Sequence, residues 1–148
     1  DRQLCQSIQA KTGIPATTSS LAIVEAMNAL RVNRLGLVTP YTSDVSHRIK
    51  EQYRSLGFEC PVERMSGISV NKDFAYVPEV DIRMMLEEAI AVVCTNFRAA
   101  TFVVEVENKY NTTVIDSVSA TIWHSLRILD ISTDRLASKW GNLFQYVK

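Results

Sequence analysis

Cys94, Thr95 and Asn96 follow directly on four apolar residues, Ile90-Ala91-Val92-Val93. A thiol, a hydroxyl and an amide in a row can hold a small anion, and the thiol can serve as base, acid or nucleophile. A short, wholly apolar run is the pattern of a strand buried on both faces, as in a parallel sheet. The triplet then stands at the carboxyl end of that strand, where open α/β sheets bind their ligands. Similar groups end two other strand-like runs: Thr39, Tyr41 and Thr42 follow residues 34–38, and Ser117 and Ser119 follow residues 113–116. Each set leads into a helical pattern. Helix N-termini present free N–H groups and partial positive charge, which suits a carboxylate ligand and favours a nearby thiolate. Asp44 and Asp116 are the exceptions on a surface otherwise free of carboxylates.

The elements that must position these groups can be read from periodicity. Residues 1–12 read as a helix with Leu4, Ile8 and Cys5 on a thin apolar stripe, stopped at Gly13. A second helix, 20–31, carries Ile23, Ala26, Met27 and Leu30 at helical spacing behind a Thr18-Ser19-Ser20 cap. The strand at 34–38 is followed by a helix capped at Thr42 or Ser43, with Val45, Ile49, Tyr53 and Leu56 inward and Gly57 as its stop. Residues 58–62 form a weaker strand, and Pro61 places it at a sheet edge. Residues 63–77 read as a loop of functional length. A helix from Pro78 to about Ala89, with Val80, Met84, Met85 and Leu86 toward the core, leads into the 90–94 strand. A helix over 98–109, with Phe102, Val103 and Val106 inward, leads to the strand at 113–116. A last helix to about Leu129, carrying Ile122, Trp123 and Leu126, precedes a tail with a short helix. The strand–helix unit repeats four times from residue 34. That order predicts an α/β fold, a four-stranded parallel sheet with helices on both faces and right-handed crossovers.

The totals exclude several classes. Sixteen basic residues balance sixteen acidic ones, so nothing in the charge draws the chain to nucleic acid or an anionic membrane. No apolar run approaches the ~20 residues of a membrane span, and the first twelve residues lack a signal-peptide pattern. Cys5, Cys60 and Cys94 have no metal-like spacing and are expected to be reduced thiols in a cytoplasmic compartment. There is no phosphate-binding glycine loop and no serine-nucleophile elbow.

Plainer roles stand beside each chemical one. A cysteine at a strand end is more often inert packing, and Cys5 and Cys60 are read that way. Tyr41 could simply cover the sheet edge, and Ser or Thr at these places are ordinary N-caps. Asn71 suits a turn. His47 falls on a solvated helix face, and His124 has no acid beside it in the sequence.

Four segments in order resemble a known superfamily. They are Pro15-Ala16-Thr17-Thr18-Ser19-Ser20, Val38-Thr39-Pro40-Tyr41-Thr42, Cys94-Thr95-Asn96, and the run from Asp116-Ser117-Val118-Ser119 to Trp123-His124. Together they are similar to the aspartate/glutamate racemase superfamily, in the branch of maleate cis-trans isomerases and arylmalonate decarboxylases, with ectoine-utilisation proteins nearby. The resemblance implies a cofactor-independent enzyme, without a metal, built of two similar flavodoxin-like halves that bind a small dicarboxylate between them. It implies that Cys94 is the second of two catalytic cysteines and that Tyr41 hydrogen-bonds a substrate carboxylate. Asn71, Thr95 and Asn96 would contribute further donors, with Thr39 and Ser117 lining the same surface. In the maleate branch the other cysteine attacks the double bond, and Cys94 delivers a proton after rotation about the resulting single bond. Decarboxylation of a malonate-type acid is the alternative, as is a non-catalytic anion-binding module. The Cys94-Thr95-Asn96 triplet leans toward isomerases and racemases, because the decarboxylases tend to glycine after this cysteine. Because the chain opens on Asp1 rather than methionine, residues 1–19 are expected to end a truncated first half. Residues 20–119 would form the second half, and 120–148 a helix and tail returning to the first. A homo-oligomer is expected.

Overall fold

The computed structural model describes residues 1–87 and 90–146 of the chain. The elements in order are α1 (Arg2–Thr12), α2 (Ser19–Ala29), β1 (Arg34–Thr39), α3 (Ser43–Ser55), β2 (Glu59–Met65), a 3-10 segment (Asn71–Tyr76) and α4 (Glu79–Leu86). Then come β3 (Ala91–Val92), a 3-10 turn (Arg98–Phe102), α5 (Val103–Tyr110), β4 (Ile115–Asp116) and α6 (Ser117–Ile128). Short helical turns at Asp134–Leu136 and Asn142–Gln145 flank α7 (Ala137–Trp140).

All pairings are parallel and the strand order is β2-β1-β3-β4. The fold is therefore the expected α/β sheet. Every β1 residue after Arg34 is buried, as the apolar run 35–38 requires of a central strand. β2 lies at the edge. There Arg34 pairs with Glu59 but Gly36 pairs with Val62, so β2 carries one extra residue around Cys60 and Pro61. A bulge on an edge strand is where a proline without an N–H is tolerated.

Register divides the core into two layers. Leu37, Ala91 and Ile115 stand in one lateral row, and Val38, Val92 and Asp116 in the next. Side chains alternate across a strand, so the rows face opposite sides of the sheet. On the first side, Leu37, Ala91 and Ile115 pack with Ile23 and Met27 of α2, Tyr53 of α3, Trp123 of α6 and Phe144. On the second, Val38 and Val92 pack with Ile82 and Leu86 of α4, with Phe102, Val103 and Val106, and with Phe74 and Cys94.

Several expected details differ. On α4 the inward pair is Ile82 and Leu86, with Met85 beside them, whereas Val80 and Met84 are more than half exposed. Starting at Glu79 behind Pro78, the helix carries apolar residues on two faces, and the i, i+4 pair 82/86 wins the core. The expected end of this helix at Ala89 lies outside the described residues. On α3 the inward residues are Ser46, Ile49 and Tyr53, and Val45 and Leu56 face out. Leu4 and Ile8 of α1 and Ile122 of α6 are also exposed. The 63–77 loop is more ordered than expected, with β2 continuing to Met65 and a 3-10 segment from Asn71. The 98–109 helix begins as 3-10 and becomes α-helical only at Val103. β3 is two residues long, extended by Ile90 N–H to Gly36 O (3.0 Å) and Val93 N–H to Val38 O (2.9 Å).

Candidate active site

The chain leaves β1 for β2 on one side and reaches β3 on the other. The gap between β1 and β3 is thus the topological switch point of the sheet, the usual ligand position in open α/β folds. Tyr41 follows β1 and Cys94 follows β3, so the two straddle this gap.

Tyr41 packs against the cluster that holds Cys94, and its phenol lies close enough to the thiol for the two to interact. Burial pushes the phenol pKa well above its usual value, and the neighbouring Cys94 pushes it further the same way. The phenol therefore keeps its proton near neutrality and is a donor to whatever carries negative charge beside it. The Tyr41 ring is held edge-on against Phe74, with centroids 5.2 Å apart at 81°. Phe74 comes from the irregular loop, where no periodicity singled it out.

The Cys94 backbone is pinned from β4. Its N–H donates to Ser117 Oγ (3.0 Å), and Ser117 Oγ donates to Val92 O (2.7 Å). Ser117 is buried and fully engaged. Next to it, Asp116 caps α6: its Oδ1 accepts the N–H of Val118 (2.9 Å) and of Ser119 (3.1 Å). Asp116 Oδ2 is buried without a hydrogen-bond partner. Burial raises its pKa to about 6, against the opposing pull of the cap bonds. The Ser119 hydroxyl lies close enough to favour the ionised form, though not in good hydrogen-bond geometry.

Thr95 is exposed and Asn96 half-buried. Asn96 Nδ2 donates to Asn71 O (2.8 Å) and Asn71 Oδ1 (3.2 Å), which brings the loop asparagine to the strand-end cluster. Thr39 is set apart. It is fully buried, and its Oγ1 lies 2.5 Å from Ser46 Oγ of α3, on the opposite side of the sheet from the Val92 row. Thr95, Asn96 and Phe97 separate Cys94 from the 3-10 turn at Arg98 that opens the helix expected over 98–109. His47 is exposed. His124 does have a neighbour, with Thr17 Oγ1 at 2.8 Å from its Nδ1, which joins two of the resembling segments. Burial lowers the His124 pKa, so it stays a neutral acceptor or donor there.

Among the described residues no group of three or more His, Cys, Asp or Glu side chains is placed to hold a metal, and no helix is long and apolar enough to cross a membrane. A surface cleft of about 640 Å3 runs along the outer side of the loop past Met65, Asp73, Tyr76 and Met84. It includes neither Cys94 nor Tyr41.

A parallel α/β unit with a thiol and a phenol paired across its switch point is the class that the fold and the site define. The chain belongs to the arylmalonate decarboxylase family, whose model matches residues 1–144. It is 29% identical to a maleate isomerase of Pseudomonas putida over 125 residues, which is 79% of this chain and 50% of that protein. It is 27% identical to the arylmalonate decarboxylase of Bordetella bronchiseptica over 139 residues, 84% of this chain and 56% of that one. In structure it is similar to the maleate cis-trans isomerase of Nocardia farcinica bound to Tris. That match has a TM-score of 0.84 and 22% identity, and it covers 97% of this chain and 63% of that one. The chain thus spans about half the length of the curated relatives it matches.

Proposed function

We propose that this chain supplies the Cys94 half of a cofactor-independent isomerase or racemase acting on a small dicarboxylate, with maleate-type cis-trans isomerisation the favoured reaction. The observation that carries the reading is the placement of the Tyr41 phenol beside the Cys94 thiol at the two strand ends that flank the switch point. Cys94 holds the proton that is delivered to the rotated carbon skeleton. Tyr41, protonated throughout, anchors a substrate carboxylate and steadies the thiolate left behind. Asn71 and Thr95 offer further donors, Asn96 ties Asn71 to the turn after Cys94, and Ser117 and Thr39 hold the strand ends that carry the site. A second cysteine from the other half adds to the double bond as its thiolate, and once the Cys94 thiolate has taken its proton back that carbon–sulfur bond breaks, restoring the double bond in the trans isomer. The halves divide at residues 1–19, 20–119 and 120–148, and the assembled enzyme works in the cytoplasm as a homo-oligomer.

Decarboxylation of a malonate-type acid is the second reading, favoured by the family match across residues 1–144. It uses the same Cys94 as the proton donor to a carbanion. Proton NMR separates the two. Maleate incubated with the complete protein gains the vinyl signal of fumarate, and Cys94→Ala abolishes the change. Full activity in Cys94→Ala, or CO2 release from an arylmalonate without maleate turnover, would remove the isomerase reading.

A further inference from the structure

The loop that carries Asn71 is fastened across the strand ends from two sides. Near its start, Ser66 N–H donates to Thr39 O (3.1 Å), Gly67 N–H to Tyr41 O (3.2 Å) and Ile68 N–H to Pro40 O (2.9 Å). Farther along, the Asn96 side chain ties it to the turn that follows Cys94. The two bonds of Asn96 fix more than the position of the loop. A backbone carbonyl only accepts, so the end of Asn96 that meets Asn71 O at 2.8 Å must be its NH2. The same NH2 faces the Asn71 side chain at 3.2 Å, so the Asn71 atom turned toward it must be the oxygen. The Asn71 NH2 is therefore directed away from Asn96. The end of the Asn71 amide turned away from Asn96 is the donor end.

We propose that Asn96 is a positioning residue that locks the Asn71 amide donor-outward, and that this lock makes the loop side of the site select a carboxylate over an amide. The proposal rests on the reading of these strand ends as a dicarboxylate site. A free asparagine turns either end to its ligand and discriminates little between an acceptor and a donor. A locked one holds a donor against a carboxylate and faces an incoming NH2 with another NH2, leaving both unpaired.

Asn96→Asp reverses the polarity at the same size. An aspartate only accepts, so it loses the bond to Asn71 O and is repelled by that carbonyl, and the one Asn71 group it can bond is the side-chain NH2, whose capture turns Oδ1 toward the ligand. Calorimetric titration of the complete protein with maleate and with its monoamide, maleamate, reads the outcome. The maleate-to-maleamate affinity ratio is expected to fall about 10- to 100-fold, the range for one hydrogen bond to a charged group lost. The added negative charge acts on both ligands by itself, so the same pair is measured in an Asn71→Ala background. There the effect of Asn96→Asp on the ratio should shrink to a few-fold. An equal fall in both backgrounds would assign the change to charge and overturn the lock. Asn96→Ala, which frees Asn71 to turn, should lower the ratio by less than Asn96→Asp. Side-chain 15N amide spectra test the lock without any ligand: in the unsubstituted protein the Asn96 NH2 protons, which make both bonds, should exchange with solvent more slowly than those of Asn71. Equal exchange at the two amides would overturn the lock even if maleate binds, and absent maleate binding in the unsubstituted protein would overturn the site reading alone.

Discussion

Replacing Asp116 by asparagine should stabilise this protein at neutral pH. The Asp116 carboxyl is fully buried at the end of β4, with one oxygen capping α6 and the other without a partner. Burial raises its pKa from 3.8 to about 6. A group that binds its proton more tightly folded than unfolded favours the fold when protonated. Its contribution is therefore fully present below about pH 4 and is lost as pH rises through about 6. A shift of about two units corresponds to about 3 kcal/mol. Asparagine keeps the capping oxygen, and Asn and Asp are comparable N-caps. It carries no charge to desolvate, and the Ser119 hydroxyl, buried without a hydrogen-bond partner, lies nearby. Urea unfolding followed by circular dichroism at pH 4, 5, 6 and 7.5 reads the difference directly. Wild type and Asp116→Asn should agree within about 1 kcal/mol at pH 4, and the variant should lead by about 1–3 kcal/mol at pH 7.5. A difference that does not change with pH, or a variant weaker than wild type at pH 7.5, would refute the assignment of a costly buried charge.

Two further outcomes concern the C-terminal segment. Glu107 is buried on α5, where Oε1 accepts Val114 N–H (2.9 Å) and Oε2 accepts Asn142 N–H (2.7 Å). Glu107→Ala orphans both N–H groups and should cost about 3–5 kcal/mol in the same urea assay, with Glu107→Gln losing about half as much. Gly141 adopts φ +105°, and a Cβ there would come 2.5 Å from Val103 Cγ1 and 3.0 Å from Glu107 Oε2. Gly141→Ala should therefore cost about 2 kcal/mol or more, visible as a lowered Tm in calorimetry, whereas the same change at Gly67, with open space around it, should cost less.

Much of this architecture is legible in the residues because burial on both faces leaves a plain mark. The apolar runs at 35–38 and 90–93 and the helix capped at Thr18 come from local chemistry that tertiary contacts reinforce. Pro61 marks the edge strand because it cannot donate to a ladder. Helix faces are less legible where apolar residues lie all round. Val80 and Met84 are as hydrophobic as Ile82 and Leu86, and only the packing against Phe102 and Val92 decides between them. Tyr41 and Cys94 are individually visible as strand-end groups. Their proximity depends on β1 and β3 being neighbours, a property of sheet order that the linear pattern leaves open. Phe74 and the Asn96–Asn71 bonds arise in irregular backbone with no period to read.

The central claim is that Cys94 is a thiol set up for chemistry rather than for packing, and competitive alkylation tests it most directly. Accessibility alone ranks Cys5 first at 8% exposed, then Cys94 at 6%, then Cys60 at 3%. Burial also raises the Cys60 pKa, which keeps it a thiol. Iodoacetamide at pH 7, with peptide mapping of the labelled residue over time, should modify Cys94 ahead of Cys5, and maleate should slow Cys94 selectively. Labelling in the order of exposure, with no protection of Cys94 by maleate, would contradict the account.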